Sequence, residues 1–318
     1  MGYKLAGFDV VGFNEIDKRM AECYIKNHNP KYAYIEPIQT FKLRDDLPPE
    51  LFELDILDGS PPCSSFSMAG NREKDWGKEK KFKEGQAMQV LDTLFFDFID
   101  LAGRLKPKVV IAENVTGILV GNAKQYVNKI YKEFGKIGYT LQHFTLDASK
   151  MGVPQKRKRV FFIALRDDLC NQFQTDIFTY NPVLKLKFDE PEIPFGEIAD
   201  NEDVNRNMSN CVHELYLKMD GQSGSMSKVH PKGSYFNEVI QDFKEPLTTI
   251  TSQGKIYHPT HPRRLNNVEF TLGGSFPLDF DFLNLKSYYV IGMSVPPIMT
   301  AQIATKIYEQ WLLKIKTF

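Results

Sequence analysis

Short apolar segments alternate with segments of helical period through the first half of the chain, and this alternation restricts the fold more than any other feature. Such apolar runs are typical of strands buried in a sheet. The alternation predicts an α/β fold with a parallel, doubly wound sheet, whose ligands bind outside the carboxyl ends of the strands. The predicted strands are Asp9–Phe13, Ala33–Ile38, Leu54–Leu57, Val109–Ala112 and Val160–Leu165, and the predicted helices are Asp17–Asn27, Gln86–Leu105 and Ala123–Ile137.

Chemically reactive side chains stand at the ends of three predicted strands. Cys63 follows one strand through two prolines, and each proline fixes φ and removes a backbone donor, so the chain itself sets the direction of the thiol. Glu113 comes directly after the next apolar strand, and Arg157 and Arg159 precede the last one. Because these two arginines are two residues apart, an extended segment points them the same way. A thiol, a carboxyl group and two guanidinium groups at strand ends predict a catalytic site.

The composition is that of an ordinary globular protein, with 318 residues, 42% hydrophobic and 25% charged. The cysteines are scattered without a CxxC pair, which indicates neither a zinc site nor a disulfide framework. There is no long apolar run and no signal-peptide pattern at the N-terminus. We therefore expect no membrane partner, no metal and a cytoplasmic location.

The net charge of +0 argues against a protein that coats nucleic acid by bulk electrostatics. Local basic surfaces are still available, because lysine and arginine concentrate in residues 72–83 and 156–159. Phosphate contacts need only such clusters. The charge pattern is therefore compatible with a nucleic-acid substrate that is bound locally.

The strand and helix alternation ends after Arg166. Residues 170–255 have no strong helical period and contain turn signals such as Asn181-Pro182 and Asp220-Gly221, whereas Met299–Lys314 is again clearly helical. We expect a catalytic domain at 1–179, a smaller irregular β and loop domain at 180–258, and a segment at 259–318 that returns to the first domain.

In order and spacing, the residues Pro61-Pro62-Cys63, Glu113-Asn114-Val115 and Gln155-Lys156-Arg157-Lys158-Arg159 resemble motifs of the DNA (cytosine-5) methyltransferase family. The resemblance extends from about Leu5 to Leu313. It implies a Rossmann-like sheet with a separate target-recognition domain at 180–258. It also implies methylation of carbon 5 of cytosine in a specific sequence of double-stranded DNA, with the target base flipped out of the duplex. A cognate restriction endonuclease is a candidate partner.

The resemblance assigns a role to each reactive side chain. The Cys63 thiolate adds to carbon 6 of the cytosine, which makes the ring an enamine whose carbon 5 attacks an electrophilic methyl group. Glu113 shares a proton with ring nitrogen 3, and Arg159 contacts the carbonyl oxygen and supports Cys63 and Glu113. Arg157 lies nearer the DNA backbone. Residues 64–85, rich in glycine, lysine and small side chains, form the loop that closes over the flipped base.

The resemblance also implies a binding site for S-adenosylmethionine. Glu15 binds the ribose hydroxyls, and Ile16 covers the adenine. The acid that receives the adenine amino group in the family aligns near Pro37, so Glu36 or the backbone at Ile38 must serve instead. The cofactor-binding residues expected in this way are Glu15, Ile16, Ile38, Pro61, Leu94, Ser294 and Val295.

One family motif, a Phe-x-Gly-x-Gly turn that cradles the methionine part of the cofactor, is missing from this sequence. Met1–Phe8 resembles the C-terminal half of the helix that follows the turn, with Gly7 as its stop. The missing strand would lie between Asp9–Phe13 and Leu54–Leu57. A late start codon, a separate chain that supplies the piece and a degenerate protein are the alternatives, and we expect a truncated enzyme that binds S-adenosylmethionine weakly.

Two other functions remain open at this point. The first is a tRNA cytosine methyltransferase of similar fold, against which the length of the recognition region argues. The second is a non-catalytic DNA-binding or partner subunit, which the missing turn suggests. The presence of Cys63, Glu113, Arg157 and Arg159 together argues against a protein that has lost its catalytic function.

Overall fold

A computed structural model of the protein describes residues 1–61, 93–120, 123–173, 182–205 and 207–315. The chain divides into two compact units. We call them the large-sheet unit, which comprises Val10–Leu146, Lys158–Leu186 and Thr305–Phe318, and the small-sheet unit, which comprises Met1–Asp9, Asp147–Arg157 and Lys187–Ala304. The division into 1–179, 180–258 and 259–318 follows function rather than contacts, and it stays a prediction.

The large-sheet unit contains a four-stranded and a two-stranded sheet. The order of the larger sheet is β3-β4-β6-β5, with β3 at Ile56–Gly59, β4 at Val109–Val115, β5 at Tyr139–Asp147 and β6 at Lys158–Arg166. In the smaller sheet β1 (Gly12–Asn14) pairs in parallel with β2 (Tyr32–Tyr34). β3 and β4 are also parallel, but β6 is antiparallel to β4. The α/β class is confirmed, whereas a sheet that is parallel throughout is wrong, because an apolar run buried on both faces carries no direction.

The core of this unit lies between the larger sheet and two helices, α4 (Leu94–Leu105) and α5 (Ala123–Lys136). Alternate residues of the two central strands face these helices, since side chains on a strand alternate between its faces. The buried side chains that meet there include Val110 and Ala112 of β4, Phe162 and Ala164 of β6, and Phe95, Phe98, Ile130 and Phe134 of the helices. Burial of each large apolar side chain contributes roughly 1.5–3 kcal/mol.

Three shorter helices belong to the same unit: α2 (Lys18–His28), α3 (Ile38–Phe41) and α6 (Asp167–Cys170). The predicted cap of α2 is confirmed, because the side chain of Asp17 accepts a hydrogen bond from the Arg19 N–H at 2.9 Å. The residues between β1 and α2 form a short connection, in which Glu15 and Ile16 are half-buried and Asp17 is buried. That connection contains two of the predicted cofactor-binding residues.

Several predicted boundaries differ from the structure. The strand predicted at Ala33–Ile38 ends at Tyr34 and gives way to α3, because Pro37 removes a backbone donor from any longer strand. β5 was missed because its side chains alternate between buried and exposed and include His143, so it lacks a continuous apolar run. Of the helix predicted at Gln86–Leu105, residues 86–92 lie outside the described residues.

The small-sheet unit has short strands and long connections, as predicted. β7 (Gly224–Ser225) pairs antiparallel with β8 (Val239–Ile240), which pairs in parallel with β9 (Ile256–Tyr257). One buried cluster includes Leu247, Ile250 and Phe270, and a second includes Val212, Met226 and Tyr257. The helices are α1 (Gly2–Leu5), α7 (Asn210–Lys218), α8 (Asn267–Gly273), α9 (Ser287–Met293) and the first part of α10 (Pro297–Gln310).

A buried ion pair organises the start of α8. The guanidinium group of Arg263 and the carboxylate of Glu269 are both fully buried and form two contacts, of 2.7 and 2.9 Å. Glu269 also accepts a hydrogen bond from the N–H of Asn266, whose side chain caps the helix in return. Because the two charges neutralise each other and their hydrogen bonds are satisfied, the pair holds this part of the unit in one conformation.

Candidate active site

A carboxylate and a guanidinium group meet on one face of the larger sheet. The Nε atom of Arg159 lies 2.9 Å from Oε1 of Glu113, and both side chains are largely buried. In the antiparallel ladder of β4 and β6, Glu113 is opposite Phe161 and Arg159 is opposite Val115. Glu113 and Arg159 are therefore diagonal neighbours on the same face, which is within reach of long side chains. The antiparallel direction of β6 thus brings together two of the predicted catalytic residues.

Burial and charge act in opposite directions on Arg159. Loss of hydration lowers the pKa of its guanidinium group, and the nearby Glu113 carboxylate raises it, with burial the larger effect. Arginine begins from so high a pKa that it remains charged. The end of β4 therefore carries a carboxylate whose hydrogen-bonding partner is a permanent cation.

The residue after Glu113 ties the sheet to the segment that precedes the predicted nucleophile. Asn114 is buried, and its side-chain amide donates a hydrogen bond to the carbonyl oxygen of Pro61 at 3.1 Å. Its amide oxygen accepts from the N–H of Val115 at 2.9 Å, which fixes the orientation of the group. The sequence prediction treated Asn114 only as a neighbour of Glu113. Cys63 itself lies outside the described residues, as do the loop expected at 64–85 and the basic cluster at 72–83.

Arg157 belongs to the small-sheet unit and has a different environment from the one predicted. Its side chain is buried, and its two terminal nitrogens donate to the carbonyl oxygens of Ile250 at 3.0 Å, Gly292 at 3.0 Å and Ser294 at 2.8 Å. These bonds hold the C-terminal end of α9. These contacts with protein carbonyls fit a positioning role, and the expected contact with the DNA backbone stays a prediction. β6 begins at Lys158, so Arg157 lies outside the strand, and the alternation of side chains along a strand does not determine its direction.

In the smaller sheet of the large-sheet unit, Asn14 fixes the relation between β1 and β2. Its side-chain amide donates to the carbonyl oxygens of Tyr34 at 3.1 Å and Glu36 at 2.8 Å. The chain segments that follow the two parallel strands are thereby held side by side. They contain Glu15 and Ile16 after β1, and Ile38 at the start of α3. The sequence prediction did not include Asn14, although a polar amide at a strand end was the available signal.

Glu15 has the environment expected of a ligand-binding carboxylate. Burial raises its pKa, while hydrogen bonds from the backbone N–H groups of Asp17 and Ile16 partly offset that effect. The bond from the Asp17 N–H is 2.8 Å long and orients the carboxylate. A half-buried carboxylate at the carboxyl end of a strand is the group that binds ribose hydroxyls in nucleotide folds.

Glu36 and Gln39 differ in whether they are available to accept a hydrogen bond from the adenine amino group. Glu36 forms an ion pair with Arg44 at 2.8 Å, so its carboxylate is already engaged. The side-chain oxygen of Gln39, in α3, is buried and has no hydrogen-bond partner among the described residues. A buried acceptor without a donor costs about 1–3 kcal/mol, and an exocyclic amino group would satisfy it. The residues that follow β1 and β2 therefore fit an adenosine-containing cofactor, and Gln39 is a candidate that the sequence prediction did not include.

The remaining predicted cofactor residues lie in both units. In the large-sheet unit Pro61 is buried and follows β3, and Leu94 is buried at the start of α4. In the small-sheet unit Ser294 and Val295 are half-buried between α9 and α10. The hydroxyl of Ser294 donates to the carbonyl oxygen of Val290 at 2.7 Å. The assignment of these residues to cofactor binding stays a prediction.

The fold resembles solved structures of other proteins. A protein encoded within an E. coli prophage, described as a DNA modification methyltransferase, has a TM-score of 0.66 at 21% identity, covering 97% of this chain and 94% of that one. A mutant of DNMT2 from Spodoptera frugiperda has a TM-score of 0.62 at 16% identity, covering 96% and 95%. At these identities the likeness shows the fold alone. The fold shared with these structures is an α/β fold with a Rossmann-like sheet.

A family model of the C-5 cytosine-specific DNA methylase matches residues 1–309, so the chain belongs to that family. The Type II methyltransferase M.FnuDI of Fusobacterium nucleatum is 27% identical over 340 residues, which cover 97% of this chain and 90% of the relative. The Type II methyltransferase M.NgoPII of Neisseria gonorrhoeae is 35% identical over 299 residues, which cover 93% and 67%. The predicted family is confirmed.

The protein is therefore an enzyme that methylates carbon 5 of cytosine in DNA with S-adenosylmethionine as its methyl donor. Of the functions left open by the sequence, the family assignment supports the DNA enzyme. In the described ranges, His, Cys, Asp and Glu side chains do not gather into a group of three that could hold a metal ion. None of the described helices is long and apolar enough to cross a bilayer.

Proposed function

We propose that Cys63 is the nucleophile of this reaction and that Glu113 and Arg159 act on the same cytosine ring. The observation that carries the proposal is that the Asn114 amide binds the Pro61 carbonyl while the adjacent Glu113 pairs with Arg159. Cys63 follows Pro61 by two residues, and two residues of extended chain span at most about 7 Å. The end of β4 thus holds the acid and restrains the start of the nucleophile's segment.

The proposed chemistry begins when the Cys63 thiolate adds to carbon 6 of the flipped cytosine. The C6–S bond forms, and the displaced electron pair moves toward ring nitrogen 3 and the carbonyl oxygen. Glu113 shares a proton with nitrogen 3, and the Arg159 guanidinium group donates to the carbonyl oxygen, so the new negative charge is stabilised where it develops. After carbon 5 has taken up the methyl group, water removes its proton, the C5–H electron pair re-forms the C5–C6 double bond, and the C6–S bond breaks so that Cys63 leaves as the thiolate.

S-adenosylmethionine, when bound, supplies an electrophilic methyl group. The residues that we propose to hold it are Glu15 for the ribose hydroxyls, Ile16 and Leu94 for the apolar faces, and Gln39 for the adenine amino group. Gln39 takes this role in place of Glu36, which is paired with Arg44. The N–H of Ile38, Pro61 and the Ser294–Val295 segment complete the proposed set. Arg157 is a positioning residue that fixes the Ser294 backbone.

We also propose that the enzyme acts on a specific duplex sequence, which residues 180–258 read, and that it works in the cytoplasm. The relatives named above are Type II methyltransferases, and this supports a restriction endonuclease of the same specificity as a partner. The described part of residues 180–258 contains short strands joined by long connections, and such connections commonly carry binding residues.

Trapping of a covalent adduct tests the nucleophile. The enzyme should form a denaturant-stable complex with duplex DNA that contains 5-fluorocytosine, because fluorine at carbon 5 cannot leave as a proton does and the C6–S bond then persists. Cys63→Ser should form no such complex, whereas Cys211→Ser, at an exposed cysteine of the small-sheet unit, should form it normally. An adduct that survives Cys63→Ser would show that another residue is the nucleophile.

A further inference from the structure

A long connection between β7 and β8 presents an ordered turn at the surface of the small-sheet unit. We call residues 230–237 the β7–β8 turn. Its C-terminal end is held, because Ser225 Oγ donates to the carbonyl oxygen of Phe236 at 2.9 Å and the Met226 N–H donates to that of Glu238 at 2.8 Å. The turn is therefore anchored to the antiparallel pair on which it is mounted.

His230 orders the turn from inside. Its Nδ1 atom accepts hydrogen bonds from the backbone N–H groups of Lys232 at 3.3 Å and Ser234 at 3.1 Å, and its carbonyl oxygen accepts from the Gly233 N–H at 2.9 Å. The Nδ1 atom of His230 is thus hydrogen-bonded to the backbone of the turn itself. His230 is therefore a structural part of the turn.

Tyr235 and Phe236 have opposite surroundings. Tyr235 has a φ of 67°, in the left-handed region that bulky side chains rarely occupy, and its hydroxyl lies 3.0 Å from the Cys211 thiol. Its ring contacts that of His230 at 5.1 Å between centroids. Such a strained backbone persists only where neighbouring contacts enforce it, and it is commonest at functional sites. The adjacent Phe236 is 74% exposed, more than any other large hydrophobic side chain in the described residues.

The charge around Phe236 favours a polyanion. Lys228 and Lys232 are exposed, and the sequence from Lys228 to Asn237 contains no acidic residue. The nearest acid, Glu238, is buried and paired with Lys255 at 2.9 Å. The turn therefore presents an exposed aromatic ring and the cation of Lys232, with Lys228 just before it, at the end of an antiparallel pair of strands, and a two-stranded β ribbon is an element that fits the major groove of DNA.

We infer that Phe236 contacts the bases of the target duplex and determines specificity at one or two base pairs. This inference rests on the proposal that residues 180–258 read the DNA. An apolar side chain discriminates through the thymine methyl group or through partial insertion at a flexible base step. Because the turn is already ordered, little conformational entropy is lost when it binds. Lys232 and Lys228 contact phosphates beside it.

Photo-crosslinking tests the contact directly. The enzyme is prepared with p-benzoylphenylalanine at position 236 and, as a matched control, at position 217, because Leu217 is a 61% exposed apolar side chain on α7 of the same unit. We expect the 236 variant to crosslink to labelled duplex DNA and the 217 variant to crosslink far less. Equal crosslinking from both positions, or none from position 236, would overturn the inference.

Selection of binding sites from a random duplex library tests specificity. The wild-type enzyme should enrich one sequence, Phe236→Ala should lose roughly tenfold or more discrimination at one or two adjacent positions, and Leu217→Ala should retain the full sequence. Thermal unfolding of each variant checks that it is folded. If the wild-type enzyme enriches no sequence, the proposed recognition role of residues 180–258 is wrong. If Phe236→Ala enriches the wild-type sequence unchanged, only the inference about Phe236 is wrong.

Discussion

At the scale of single residues, the site depends on side chains whose partners lie in different strands. Glu113 and Arg159 are 46 positions apart in the chain but diagonal neighbours in the sheet, at 2.9 Å. Asn114, on the opposite face of β4, binds Pro61. Two consecutive residues of β4 thus have separate contacts: Glu113 pairs with Arg159, and Asn114 binds the segment before Cys63. They can do so because side chains on a strand alternate between its faces.

The role in proton transfer that we propose for Glu113 predicts a large kinetic effect from a small change. Glu113→Gln keeps the size of the side chain but can no longer exchange a proton, so methyl transfer should slow by about 10²–10⁴-fold. Duplex binding should change little. Steady-state methylation and a gel-shift titration measure the two quantities, and Glu309→Gln, at an exposed position of the same unit, is the control. Near wild-type turnover would remove Glu113 from the mechanism.

At the scale of elements, the carbonyl groups at the end of α9 depend on Arg157. Arg157→Met leaves the carbonyls of Ile250, Gly292 and Ser294 without the donors that now serve them, at a cost of about 1–3 kcal/mol for each buried group. We therefore expect the melting temperature to fall by several degrees or more. Lys158→Met, at the next and exposed residue, should change it little.

The same variant separates the two roles considered for Arg157. A phosphate contact would make DNA binding less dependent on salt, lowering the slope of log K against log salt by about one. A positioning role leaves that slope unchanged, because no phosphate contact is lost. Measurement of duplex affinity between 50 and 200 mM salt, roughly the range over which such slopes are determined, distinguishes them. A lowered slope would support the original expectation of a backbone contact.

The sequence indicated most elements correctly because their cores are continuous apolar runs. The run at Val160–Leu165 is buried in β6 as predicted, yet nothing in it reveals the antiparallel direction that brings Arg159 to Glu113. The strand begins one residue after Arg157, so the alternation of side chains along a strand does not apply to that residue, and only a three-dimensional boundary shows this. Gln39 was missed because an amide without a partner cannot be recognised without its surroundings.

At the scale of the whole molecule, the two units have separate cores and can respond differently to solution conditions. The small-sheet unit contains His258, which is fully buried among Phe195, Phe243 and His261. Burial lowers its pKa from 6.5 to about 4, and the positive charges of Arg263 and His261 add to the effect. Its Nδ1 accepts from the N–H groups of Thr260 and His261, so the neutral ring is the form that fits.

This environment predicts that acid destabilises the protein through His258. The unfolded state takes up the proton near pH 6.5 and the folded state only near pH 4, so stability is full above pH 6.5 and falls as the pH drops toward 4. The loss amounts to about 3 kcal/mol at most. Chemical unfolding of the wild type and of His258→Asn, whose amide oxygen can replace Nδ1 as acceptor, measures it. The variant should lose less stability between pH 6.5 and 4, and parallel curves would contradict the assignment.

The hydrogen bond between Asn114 and Pro61 has a consequence for how the site withstands thermal motion. β3 and β4 are neighbours in one sheet, so a fluctuation that displaces the end of β4 carries the Pro61 anchor along with the carboxylate of Glu113. Glu113 and Pro61 therefore move together with the sheet. Vibration of the sheet is then common to both points, so it changes the distance between them little.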